Sequence, residues 1–152
     1  MENTTRSDKP VTREQAEKAL SRKLPASASD FYYLFYAGGL QDLEAYLRFH
    51  VDPPQADQAI DEIISENNKT LKQSLPYVRS SVSLRLAEGE SISMMLPQPA
   101  KPFVDAEGRF KPISWWQPQT ISNGYFRGEN QSYALKIWYD ADKSLVYVYQ
   151  ND

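Results

Sequence analysis

From Asp42 to Val51 the chain alternates apolar and polar residues without a break. Leu43, Ala45, Leu47, Phe49 and Val51 fall on one side, with Asp42, Glu44, Tyr46, Arg48 and His50 on the other. Side chains of a strand point alternately to opposite faces, so this pattern predicts a strand with one buried face. The aromatic run Phe31 to Tyr36 precedes it. Gly38-Gly39 between them supplies a cheap positive-φ reversal, which makes the pair a hairpin.

Two stretches carry the helical period instead. Ala16, Ala19, Leu20 and Leu24 recur at helix spacing after Thr12 and Gln15, which suit a capping box, with Pro25 closing the helix near Lys23. Asp52, Pro53 and Pro54 open a second helix, whose Ala56, Ala59, Ile60, Ile63 and Ile64 form an apolar stripe. Its other side is acidic: Asp57, Asp61, Glu62 and Glu66 have no base near them in sequence. The two helix starts look alike, but a shared start signal explains the likeness without duplication.

Ser81–Leu86 and Ser91–Leu96 read as a further pair of strands. Phe103 to Gly128 reads as a long ordered loop containing Trp115-Trp116 and a turn at Asn123-Gly124. A terminal hairpin follows. Leu135, Ile137 and Tyr139 oppose Lys136 and Trp138 on its first strand; Leu145, Tyr147 and Tyr149 oppose Val146 and Val148 on its second. Both faces are partly apolar, as expected of strands inside a sheet or beneath a covering loop. The element order predicts an α+β fold: a mainly antiparallel sheet with both helices on one face, and a long aromatic loop before the C-terminal hairpin. Residues 1–10 are polar and aperiodic and read as a flexible leader to one domain spanning 11–152.

Composition narrows function by exclusion. The 152-residue chain has a net charge of −3 with scattered basic residues, which argues against nucleic acid. It contains no cysteine, so disulfides and thiolate chemistry are ruled out. No apolar run is long enough to span a bilayer as a helix. The one histidine, His50, lies beside Arg48 and cannot build a typical zinc site alone. Asp140-x-Asp142-x-Ser144 imitates the start of a calcium loop but lacks its glycine and terminal glutamate, so a hairpin turn explains it better. Nothing in the sequence asks for a cofactor.

The aromatic residues are the remaining clue, since tyrosine and tryptophan combine rigid contact area with a polar tip. Trp115, Trp116, Tyr125, Trp138 and Tyr36 are the expected lining of a contact surface for an unknown protein or small ligand, glycans included. Arg48 and Arg127 would orient an anion or stack on a ring. Adjacent residues rarely both point inward, which places the Trp115-Trp116 pair near the surface. Two other readings stand beside this one. An inhibitor or immunity-type protein would meet a basic partner with Asp57, Asp61, Glu62 and Glu66. A small hydrolase would use a carboxylate pair such as Asp105 with Glu107, Glu88 with Glu90, or Asp140 with Glu129.

The stretches L-P-A-S-A-S-D-F-Y-Y, G-G-L-Q-D and Y-L-R-F, with the ending I-W-Y-D…V-Y-V-Y-Q-N-D, resemble small bacterial exported or lipoprotein-type domains. That resemblance implies an extracytoplasmic, periplasmic address and no particular activity.

Overall fold

The computed structural model describes residues 3–38, 42–71, 77–81, 114–129 and 135–151. Within them lie strands β1 (Asn3–Arg6), β2 (Ser29–Gly38), β3 (Asp42–His50), β4 (Tyr77–Ser81), β5 (Gly124–Glu129), β6 (Leu135–Asp140) and β7 (Leu145–Asn151), with helices α1 (Arg13–Leu20) and α2 (Pro53–Leu71). The strands form one sheet in the order β1-β2-β3-β7-β6-β5-β4, and every neighbouring pair is antiparallel. The α+β architecture expected from the hydrophobic pattern is the one observed.

Each helix starts where the sequence places it. The Thr12 hydroxyl accepts from the Gln15 N–H at 3.2 Å, and the Gln15 side chain accepts from the Thr12 N–H at 3.0 Å. α1 ends at Leu20, earlier than Pro25 demands, because Ser21 adopts the left-handed conformation at φ 53° and its N–H bonds back to Glu17 O. On α2 the whole stripe Ala56, Ala59, Ile60, Ile63 and Ile64 is buried. It packs with Ala16 and Leu20 of α1 against Leu47, Phe49, Ile137, Val146 and Val148 of the sheet. Both helices therefore cover the same face.

Three expectations need correction. The leader contains β1, which pairs with β2 through Thr4↔Tyr36 and Thr5↔Phe35. Ser7 then pins the segment: its N–H donates to Tyr33 O at 2.9 Å, and its hydroxyl accepts from the Tyr33 N–H at 3.0 Å. Backbone pairing needs no apolar side chains, so a polar strand leaves no periodic trace. Gly124 begins strand β5 rather than sitting in a turn. Finally, the polar side of β3 is not a wet face throughout, since Tyr46 is 1% exposed and Arg48 is half-buried. The strand pair Ser81–Leu86 and Ser91–Leu96 lies outside the described residues, apart from Ser81 at the end of β4.

Candidate functional site: the aromatic face of the sheet

The face away from the helices holds a second core. Its buried members are Leu34, Tyr46, Trp115, Trp116, Ile121, Trp138, Tyr147 and Tyr149, with Tyr32, Phe126 and Leu145 partly buried against them. Cross-strand register explains the grouping. Tyr32 pairs with Arg48, Arg48 with Tyr147, Tyr147 with Trp138 and Trp138 with Phe126, so one row crosses β2, β3, β7, β6 and β5. Leu34, Tyr46, Tyr149 and Lys136 form the adjoining row. Side chains in register stand close enough to interact directly, which turns five separate strands into one aromatic surface.

The segment before β5 roofs this surface. Trp115 lies over Tyr32 with ring centroids 5.7 Å apart. Trp116 meets Tyr46, Trp138 and Tyr147 edge-on at 5.0, 5.8 and 5.5 Å. Edge-to-face pairs of this kind add about 0.5–1.5 kcal/mol beyond area burial. The roof is also hydrogen-bonded: Trp115 Nε1 donates to Ser7 O at 3.2 Å, and Arg48 Nη1 donates to Trp115 O at 3.2 Å. A 3-10 turn at Pro118–Thr120 follows and delivers the fully buried Ile121.

The expectation that Trp115 and Trp116 face solvent is therefore overturned. They are 5% and 2% exposed, and Trp138 is fully buried. Inward-outward alternation is a property of strands, and Ser114–Gln117 is irregular backbone, so both indoles can turn toward the sheet. A strand parity effect overturns a second grouping. Tyr125 and Arg127 flank Phe126 on β5, so they point to the helix side, away from the tryptophans. There the Tyr125 hydroxyl donates to Asp57 and Arg127 Nη1 donates to Asp61. These contacts clasp β5 to α2 and occupy two of the four acidic residues proposed for a basic partner. Glu62 is exposed, and Glu66 raises the pKa of Arg22 against the stronger lowering effect of burial. Tyr36 shares strand parity with Tyr32 and Leu34 and pairs with Glu44, in a stretch where the backbone alone is described.

What remains on the aromatic face is rich in donors. Arg48 Nε, Trp116 Nε1 and Trp138 Nε1 are buried and have no hydrogen-bond partner among the described residues. A buried donor left unpaired costs about 1–3 kcal/mol, so such groups call for an explanation. The Arg48 guanidinium lies 4.5 Å over the Tyr32 ring, and no described carboxylate forms an ion pair with it. Lys136 is half-buried on the same face, and burial lowers its pKa below the usual lysine value. Burial pushes the Tyr147 hydroxyl up; Arg48 opposes that shift and Asp140 adds to it. Asp140 itself is 1% exposed, and its Oδ1 accepts the N–H groups of Asp142 and Lys143 at 3.0 and 3.1 Å. The would-be calcium loop is thus a hairpin turn held by its own first aspartate. Among the described residues, no group of three His, Asp or Glu could hold a metal ion. The carboxylate pairs Asp105 with Glu107 and Glu88 with Glu90 lie outside the described residues, as does the side chain of Glu129.

The aromatic layer contains Trp115, Trp116 and Trp138 of the sequence-based set, with Arg48 beside them, and also Tyr46, Tyr149, Phe126 and Lys136, which that set lacks. The signal for Lys136 was available, since it shares strand parity with Trp138. The alternation of β3 reads as one wet face, which hides Tyr46.

No family model, curated protein or solved structure matches the chain. Its class rests on its own geometry: an antiparallel sheet with helices on one face and a roofed aromatic layer on the other.

Proposed function

We propose that this protein is a non-enzymatic binding or accessory domain that engages its ligand through the aromatic face of the sheet. The observation that carries this reading is Arg48: a half-buried guanidinium stacked on Tyr32, with Nε unpaired and no carboxylate partner among the described residues. The Nε–H is a buried donor without an acceptor among the described residues, and an oxyanion reaching this face would satisfy it. The extracytoplasmic address belongs to the same proposal and rests on the sequence resemblance alone; cell fractionation of the native host tests it.

The experiment for binding is a tryptophan-emission screen of the full chain against small carboxylates, amines, alcohols and sugars. All three tryptophans belong to the aromatic layer, so occupancy must alter their emission. A saturable response to one chemical class, weakened by Arg48→Met in a folded variant, supports the reading. Silence toward every class removes it.

The acidic-inhibitor alternative keeps one favourable observation, the exposure of Glu62 on α2, beside Asp57 and Asp61, which are exposed but already bonded to Tyr125 and Arg127. It predicts association with a basic protein that weakens steeply with salt and with Glu62→Lys.

A further inference from the structure

The helix side of the sheet carries an open cleft between α2 and the segment that leaves α1. Lys23 and Leu24 line it from that segment, and Glu62, Ser65 and Glu66 from α2, around a volume of about 240 Å³. Spacings of three and four residues put the α2 groups on one side of the helix. The opposite wall is fixed by Glu17. Its backbone O accepts from the N–H groups of Ser21 and Arg22, and its Oε2 accepts from the Leu24 N–H at 2.8 Å. Leu24 is buried, whereas Lys23, Glu62 and Ser65 are exposed, so a solute reaches the cleft without displacing a packed side chain.

The charges around the cleft leave one of each sign unspent. Glu66 acts electrostatically on the half-buried Arg22, and those two offset one another. Glu62 and Lys23 remain, an acid and a base on opposite walls, and neither forms an ion pair among the described residues. We infer that this cleft takes a free α-amino acid with an apolar side chain. Its carboxylate meets Lys23, its ammonium meets Glu62 and the Ser65 hydroxyl, and its side chain lies on Leu24. A ligand with only an amine would set its charge against Lys23, and one with only a carboxylate against Glu62 and Glu66. A zwitterion meets each wall with the opposite sign. The volume falls below the roughly 300–1,000 Å³ of pockets for drug-sized ligands, which suits a single amino acid. This site is independent of the aromatic face, because Leu24 belongs to the core on the other side of the sheet.

The test titrates the full chain with L-leucine and follows its backbone amide and indole N–H signals by NMR. Isoamylamine supplies the side chain with the ammonium alone, isocaproate the side chain with the carboxylate alone, and glycine the zwitterion without a side chain. The expected result is saturable movement of the Lys23, Leu24, Glu62, Ser65 and Glu66 signals, with each control at least about threefold weaker. Lys23→Gln should weaken leucine by a similar factor and leave isoamylamine no weaker. Glu62→Gln should weaken leucine and leave isocaproate no weaker. Both positions are exposed, so the fold tolerates the changes. Leucine affinity unchanged in either variant overturns the proposal, as does an amine or a carboxylate that binds as well as leucine. Glycine binding as tightly as leucine overturns the apolar side-chain assignment. Movement of the indole signals with the cleft signals still would put leucine on the aromatic face and overturn the cleft site. Silence at millimolar leucine overturns it as well and leaves the aromatic-face reading untouched.

Discussion

Gly124 opens β5 against the backbone of β6, and its role is spatial rather than conformational. A Cβ there would lie 1.8 Å from the Tyr139 carbonyl oxygen and 3.2 Å from Ile121 Cγ2. The oxygen belongs to backbone and cannot retreat without breaking the β5–β6 register. Gly124→Ala should therefore cost more than about 2 kcal/mol, read as a lowered urea midpoint. Lys136 makes a prediction of opposite sign. Burial disfavours its charged form, so its folded pKa lies below the unfolded value. Between those two values the unfolded chain binds more protons, and stability rises with pH. Below both values the penalty is fully present. Lys136→Met should thus have the higher urea midpoint at pH 7, with the gap narrowing as pH climbs toward the lysine value. Tyr139 and Tyr147 have raised folded pKa values and lose stability as pH rises through them, but both chains share those residues and the difference removes them.

At the scale of elements, the two helices are held by different means. α1 is short and closes with a capping box at Thr12 and a left-handed Ser21, while its buried residues are only Ala16 and Leu20. α2 is held by its stripe, in which Ala59 and Ile60 are both fully buried. Ile60→Ala should cost about 2–5 kcal/mol through lost contact and a residual cavity. Thr12→Ala removes one cap and should cost about 1 kcal/mol. Thermal denaturation of the two variants checks the ranking; equal losses would mean that α2 is not the helix that seals the core. The β5–α2 clasp is a weaker device. Asp61 is 64% exposed in its ion pair with Arg127, so solvent screens most of the attraction.

Across the whole molecule, the β3–β7 pairing joins an N-terminal hairpin to the C-terminal one, from Glu44↔Asn151 to His50↔Leu145. Contacts so distant in sequence pay loop-closure entropy before they contribute, so this seam should form late and exchange slowly once made. Amide hydrogen exchange should find the strongest protection in β3, β7 and β6 and the weakest in the edge strands β1 and β4. Protection in β1 equal to that of β7 would contradict this order. The α2 stripe, the β3 alternation and the terminal hairpin were legible because one residue type repeats at the period of one element. β1 and β5 were not: Asn3–Arg6 is polar, and Gly124–Glu129 carries two glycines and an arginine, so neither has a period to read. The amino-acid sequence by itself determined both helices, the two apolar faces of β6 and β7 and the α+β class, since local spacing and capping are enough for those. Only the tertiary structure decided that Tyr125 and Arg127 face the helices while Trp138 faces the roof, and that both neighbouring indoles turn inward. Those outcomes depend on strand register and on irregular backbone, which are set by contacts between residues far apart in the chain.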